Sequence, residues 1–113
     1  MLLRERCCYV YILTNVHKTV LYVGVTNNLE ERTIEHFRSR GQPHSFTGRY
    51  HVYYLVYYEP HQYINNAIMR ETEIKKWSRG KKMKLIMEFN PTLEFLNEKV
   101  FGCWPPKETP SRF

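Results

Sequence analysis

The sequence predicts an α+β domain: a small three-stranded antiparallel or mixed sheet flanked by helices, in the order β-β-α-β-α-α. Three observations carry this. Two runs of β-branched and aromatic residues lie close together near the N-terminus, a third follows a helix-like stretch, and two segments with helical apolar spacing fill the chain up to Pro91. Helices layered on such a sheet bury its apolar face.

The first run, CCYVYILT from Cys7 to Thr14, and the second, LYVGVT from Leu21 to Thr26, are separated by a short polar break and read as a β-hairpin. With a loop over Val16 to Thr19, Tyr11 falls opposite Gly24 and Tyr22 opposite Leu13, which makes the tyrosines diagonal neighbours on one face. Gly24 is then expected to leave open space over Tyr11, as a ligand-side pocket requires. Asn28 is placed to cap a helix from Leu29 to about Ser39, with Glu31 completing a capping box and Gly41 and Pro43 ending it. Gln42 to Tyr50 reads as a polar loop whose His44, Ser45, Thr47 and Arg49 are available to phosphates.

HVYYLVYYE, from His51 to Glu59, is the third strand, closed by Pro60. In NNAIMRETEIKKW, from Asn65 to Trp77, the spacing of Ala67, Ile68, Ile74 and Trp77 predicts the second helix. Gly80 marks a turn before a third helix built on Met83, Ile86 and Met87, and Asn90 with Pro91 stops it and starts a last short turn through Leu96. One domain over 7–98 is expected, after a lead-in of 1–6. The Pro-rich tail of 99–113, with CWPPKETPSRF at its end, is expected to stay outside the fold.

Seventeen Lys and Arg against eleven Asp and Glu give 113 residues a formal charge of +6, which favours a polyanionic partner, nucleic acid or an anionic membrane surface. No run approaches the roughly 18 apolar residues of a spanning helix, and Met1 to Arg6 lacks the apolar core of a signal peptide. A cytoplasmic chain with no membrane partner is the expectation. Cys7, Cys8 and Cys103 form neither a disulfide framework nor a metal-ligand spacing, and they are expected to be reduced thiols.

Five residue positions suggest chemistry. Arg32 and His36, four apart, project to one side of the first helix and flank its buried stripe of Leu29, Thr33 and Phe37. A half-buried arginine calls for an anion, although an amphipathic helix with snorkelling cations has the same pattern. Glu71 falls in the stripe of Ala67 and Ile74, where a carboxylate needs a metal, several donors, or a cation such as Arg32, Arg70 or Lys75. The paired tyrosines alone are a weak signal, since paired aromatics on strands are more often core packing.

Together these residues resemble a known family. YVY at Tyr9 to Tyr11 and YVG at Tyr22 to Gly24, followed by LEERTIEH, are similar to the two tripeptides and first helix of the GIY-YIG nucleases, with Tyr9 standing at the family's glycine. RETEIKKWSRGKK from Arg70 and FNP from Phe89 resemble the small stand-alone, excinuclease-subunit-like branch. The resemblance implies a metal-dependent endonuclease that hydrolyses phosphodiester bonds in DNA, in repair or recombination. It makes Tyr11 the proton-accepting or water-orienting hydroxyl, Tyr22 a second phenol, Arg32 the balance for phosphate charge, His36 an aid to proton transfer and Glu71 the ligand of one divalent ion. Asn90 resembles a later asparagine of some members. Arg49, Lys75, Lys76 and Arg79 are the cations expected to hold nucleic acid. A phenol with a reference pKa of about 10 is a poor base at neutral pH, so Tyr11 needs His36, the metal or a positive field. One carboxylate suits a hard ion that keeps its waters, Mg²⁺ or Mn²⁺ rather than Zn²⁺, and no small-molecule cofactor is expected. The alternative is a nucleic-acid-binding module that keeps the fold without turnover.

Overall fold

The computed structural model describes residues 8–107. Its elements are β1 (Cys8–Thr14), β2 (Leu21–Thr26), α1 (Leu29–Arg38), α2 (Phe46–Arg49), β3 (Tyr54–His61), α3 (Ile64–Lys75), α4 (Arg79–Phe89) and α5 (Asn97–Phe101). Cys7, assigned to the first strand from sequence, lies outside the described residues, as do the lead-in and the end of the tail. The α+β class and the expected order hold, with two short helices added.

β1 is the central strand of an antiparallel sheet ordered β2-β1-β3. The hairpin register is the one its loop length dictates, Tyr11 opposite Gly24 and Leu13 opposite Tyr22. Asn15 closes that loop: its Oδ1 accepts from the N–H groups of Thr19 and Val20 at 2.8 and 3.1 Å, while the Thr14 hydroxyl donates to the Val20 carbonyl at 2.7 Å. β3 pairs with β1 through a bulge at Val56, which lets Leu55 face one side and both Val56 and Tyr57 the other. Pro60 does not close this strand. It pairs with Tyr9 on an edge strand, where a missing N–H breaks no ladder bond, and the strand runs on to His61.

Alternation along β1 divides the interior in two. Cys8, Val10 and Ile12, with Val23, Val56 and Tyr57, pack against Ala67 and Ile74 of α3 and Ile86 of α4. Tyr11 and Leu13 face the opposite way, toward Leu29 of α1, Val52, Leu55 and Leu96. Truncating Ile12 or Ile74 to alanine costs about 2–5 kcal/mol at such fully buried positions.

Three local readings are corrected. Asn28 caps α1 by accepting from the Glu31 N–H at 3.0 Å, but its own N–H donates to Thr26 Oγ1 at 3.1 Å, so Thr26 takes the part expected of the Glu31 side chain. The loop expected at 42–50 contains α2, capped by the Ser45 hydroxyl accepting from the Gly48 N–H at 3.0 Å. Gly48 makes this possible, because a Cβ there would lie 2.6 Å from the Ser39 carbonyl oxygen at the end of α1. Gly80 lies within the first turn of α4, which Ser78 caps.

Buried Asn90 and Asn97 tie the C-terminal segment to β3. Asn90 donates to the carbonyls of Val56 and Glu94, and Asn97 accepts from the Leu55 N–H at 2.7 Å and donates to the Tyr53 carbonyl. Trp104, in the stretch expected to stay outside the fold, packs edge-on to Phe37 at 5.3 Å. Burying its ring there is what fixes the chain past Gly102. No helix among the described residues is long and apolar enough to cross a membrane.

Candidate active site

Tyr11 has no exposed surface. Its ring lies across Gly24, where an added Cβ would meet the phenol carbon and oxygen at 2.5 Å. The space that glycine opens is therefore filled by Tyr11 itself and is no vacant pocket. The glycine lets the hydroxyl reach over β2, where it lies 3.1 Å from His36 Nε2 with the Arg32 guanidinium nearby. Burial foremost, then Tyr22, holds the phenol pKa well above its ordinary range; Arg32 opposes this, and the charge of Glu71 adds to it. Glu71 thus comes near enough from α3 for its carboxylate to act on the Tyr11 hydroxyl.

His36 is buried on the same side of α1 as Thr33 and Phe37. Its second nitrogen, Nδ1, is 3.0 Å from Thr47 Oγ1, itself buried on α2. Burial, then the neighbouring Arg32, lowers its pKa to about 4, so the ring is neutral at physiological pH. A neutral imidazole carries one N–H, so its two bonds are coupled. When Nδ1–H donates to Thr47, Nε2 accepts from Tyr11, and when Thr47 donates to Nδ1, Nε2–H donates to Tyr11. Thr47, expected from sequence to be available to phosphates, instead turns inward and holds the second ring nitrogen of His36. Its signal was the Ser45 cap, which creates a helical turn and points Thr47 inward.

Tyr22 completes the cluster, its ring 5.3 Å from His36 and 6.3 Å from Tyr11. Arg32 is half-exposed and pairs with Glu35 one turn on at 3.1 Å; its pKa is raised by the Tyr11 hydroxyl first and by Glu35. Glu71 pairs with Lys75 at 3.0 Å, which decides among the three cations its sequence position left open. A cleft of about 480 Å³ opens beside this cluster, lined on one side by Tyr22, Arg32, Glu35 and His36 and on the other by Gln42, His44, Phe46 and Thr47.

The cations named from sequence are not gathered at this cleft. Arg49 stands on α2 with its guanidinium 6.0 Å over the Tyr50 ring. Lys76 lines a separate groove with Ile68, Met69 and Trp77, and Arg79 donates to the Lys18 carbonyl at 3.0 Å. Asn90, with its amide committed to backbone, is a structural anchor.

On the opposite face of the sheet lies a second polar cluster that the sequence reading did not single out. Glu59, paired with Val10 across the strands, receives the Tyr57 hydroxyl, His61 Nε2 at 2.6 Å and Arg70 Nε at 3.0 Å. Burial would raise its pKa, but the bonds from Tyr57, His61 and Arg70 outweigh this and hold it below the ordinary carboxylate range.

A family model described as the GIY-YIG catalytic domain matches residues 7–84. Similar proteins include a UPF0213 protein of Staphylococcus saprophyticus subsp. saprophyticus, 39% identical over 80 residues that make up 71% of this chain and 94% of the relative. Another, from Natronomonas pharaonis, is 40% identical over 80 residues, 71% of this chain and 91% of its own. A third, from Syntrophus aciditrophicus, is 40% identical over 83 residues, 74% and 92% of the two chains. No solved structure matches the chain. The family match runs from the hairpin that carries Tyr11 and Tyr22, through α1 with Arg32 and His36, to α3 with Glu71 and the start of α4, and it shows that this protein belongs to the GIY-YIG family.

Proposed function

We propose that this protein is a divalent-metal-dependent endonuclease that hydrolyses phosphodiester bonds in DNA at the cleft lined by Arg32 and His36, beside the buried Tyr11. The observation that carries this reading is the Tyr11 hydroxyl held 3.1 Å from His36 Nε2, with Arg32 one turn before His36 on α1. The formal charge of +6 supports a polyanionic substrate.

Phosphodiester hydrolysis needs a proton acceptor for the attacking water and positive charge for the phosphorane. Tyr11 and neutral His36 handle the proton as a unit. With Nδ1–H donating to Thr47, Nε2 accepts the phenol proton as the Tyr11 oxygen takes one from water, so no free phenolate is formed. Arg32 supplies the charge. When a phosphate oxygen replaces Glu35 as its partner, the guanidinium moves off Tyr11 and opens the hydroxyl to the water. Tyr22 orients the phosphate from the side of His36.

The donor set suits one kind of metal. Among the described residues no group of three or more His, Cys, Asp or Glu is arranged to hold an ion, which argues against Zn²⁺. Glu71, half-buried and partnered by a solvent-facing lysine, fits a hard ion that takes one carboxylate and keeps its waters. Mg²⁺ or Mn²⁺ held by Glu71 would neutralise phosphate charge and stabilise the leaving oxygen.

One observation favours the second reading, a nucleic-acid-binding module without turnover: Tyr11 is fully buried. Incubation with duplex, nicked, flapped and branched DNA, with Mg²⁺, with Mn²⁺ and with EDTA, separates the two. The nuclease yields products that require the metal. Salt-sensitive binding with no product on any of these DNAs would identify the module.

A further inference from the structure

Phe46 and Tyr50 are large rings left 48% and 45% exposed; Phe46 walls the cleft opposite Arg32 and His36, and Tyr50, the C-cap of the same short helix, stands beside it. Phe46 lies near-parallel to Tyr22, with centroids 6.3 Å apart and an interplanar angle of 26°, and its other neighbour Tyr50 is 5.0 Å away. Arg49 stands over Tyr50 at 6.0 Å. Aromatic faces interleaved with a guanidinium are what a single-stranded segment uses, its bases on the rings and its phosphates on the cation. A base inside intact duplex has both faces covered by its neighbours and gains nothing from such a wall.

Resting on the nuclease reading of the same cleft, we infer that the Phe46–Tyr50 wall is a stacking subsite for one unpaired nucleobase next to the phosphodiester held by Arg32. The substrate class that follows is DNA with an unpaired or extruded base beside the cleaved bond. The geometry is consistent in size and chemistry. The cleft of about 480 Å³ has room for a nucleotide, and Gln42, His44 and Ser45 line it beside Phe46, offering an amide, an imidazole and a hydroxyl to a base edge. α2 then serves two ends at once, with Thr47 turned inward to His36 and Phe46 turned outward to the base.

The test measures affinity of the whole chain in buffer without divalent metal, so that turnover plays no part. Two nicked duplexes are compared, identical except that one carries an unpaired adenine at the nick and the other an abasic residue there. Wild type is expected to bind the adenine-bearing DNA roughly 5- to 100-fold more tightly, the range for one base stacked on an aromatic side chain. Phe46→Leu, which keeps apolar bulk against Tyr22 and removes the ring, should bring the two affinities together, and Tyr50→Leu should narrow the gap. Equal affinities in wild type, or a preference that survives Phe46→Leu, would overturn the subsite and leave the nuclease reading to its cleavage assay. Absence of binding to either DNA would overturn both.

Discussion

The two faces of the sheet each carry a tyrosine, a histidine and an arginine, which converge on one carboxylate, Glu59, on one face, while on the other Tyr11 meets His36 and Arg32 pairs with Glu35. On the α3 side, Glu59 takes three donors from Tyr57, His61 and Arg70, and Arg70 also reaches the exposed Glu73 on its own helix. Around Tyr11 the partners of the two charged groups, Arg32 of α1 and Glu71 of α3, are surface residues. Arg32 is held by Glu35 with a side chain 56% exposed, and Glu71 by Lys75 with one 52% exposed. A closed cluster fixes the fold, whereas an open one can exchange its partners for a phosphate and a metal ion. The residue types are the same; the availability of the charges distinguishes a site from a strut.

Exchanging the two carboxylates for amides should break the comparison most visibly. Glu71→Gln is expected to lower cleavage at least about a hundredfold and to abolish the rise in melting temperature that Mg²⁺ gives wild type, while costing only about 0.3–0.5 kcal/mol, since its lysine partner remains solvated. Glu59→Gln should do the reverse, losing about 1–3 kcal/mol because half-buried Arg70 loses this carboxylate and keeps the exposed Glu73, with cleavage by the folded protein kept. Chemical denaturation and single-turnover assays on both variants read this out. A Glu71→Gln protein that is strongly destabilised yet cleaves would make Glu71 a structural partner.

Thr47→Val should have a smaller effect, lowering cleavage roughly tenfold by freeing the His36 tautomer, with Thr47→Ser restoring it. The nitrogen chemical shifts of His36 report the tautomer directly. An unchanged tautomer in Thr47→Val would remove this link.

Acid should then separate the faces by pH. His36 has its pKa lowered from 6.5 to about 4, so below 6.5 the unfolded chain takes up the proton first, and the stability that neutral His36 gives is full above 6.5 and lost as pH falls through 4. Glu59, with its pKa lowered from 4.5, contributes stability that is full above 4.5 and lost only as pH falls below that. Melting temperature against pH should therefore fall in two stages. His36→Gln should remove the first and Glu59→Gln the second. A wild-type curve flat between 6.5 and 4.5 would contradict the burial of neutral His36.

Much of this arrangement was legible in the sequence. The hairpin register follows from a loop of fixed length between two strongly β-forming runs, so the positions of Tyr11, Gly24 and Tyr22 could be written down beforehand. The buried stripe of α1 followed from periodicity. What escaped was whatever depends on contacts distant in sequence. A four-residue helix such as α2 has no periodicity to detect, and its place depends on the Ser45 cap together with the carbonyls of Ser39 and Gln42 packed against Gly48. Pro60 signals a strand end unless β3 is known to be an edge. Glu59 and Glu71 look alike as letters in a sequence, and their difference rests on which donors the fold brings to each.

The central claim, that the open face performs chemistry and the closed face does not, is tested most directly by removing one oxygen from each. Single-turnover cleavage of the best DNA substrate in Mg²⁺ would be compared for wild type, Tyr11→Phe and Tyr57→Phe, each shown to be folded. The account predicts that Tyr11→Phe binds DNA but loses cleavage by about 10²- to 10⁴-fold, the usual worth of a proton-transfer group, while Tyr57→Phe cleaves at the wild-type rate. Full activity in Tyr11→Phe, or an equal loss in Tyr57→Phe, would contradict it.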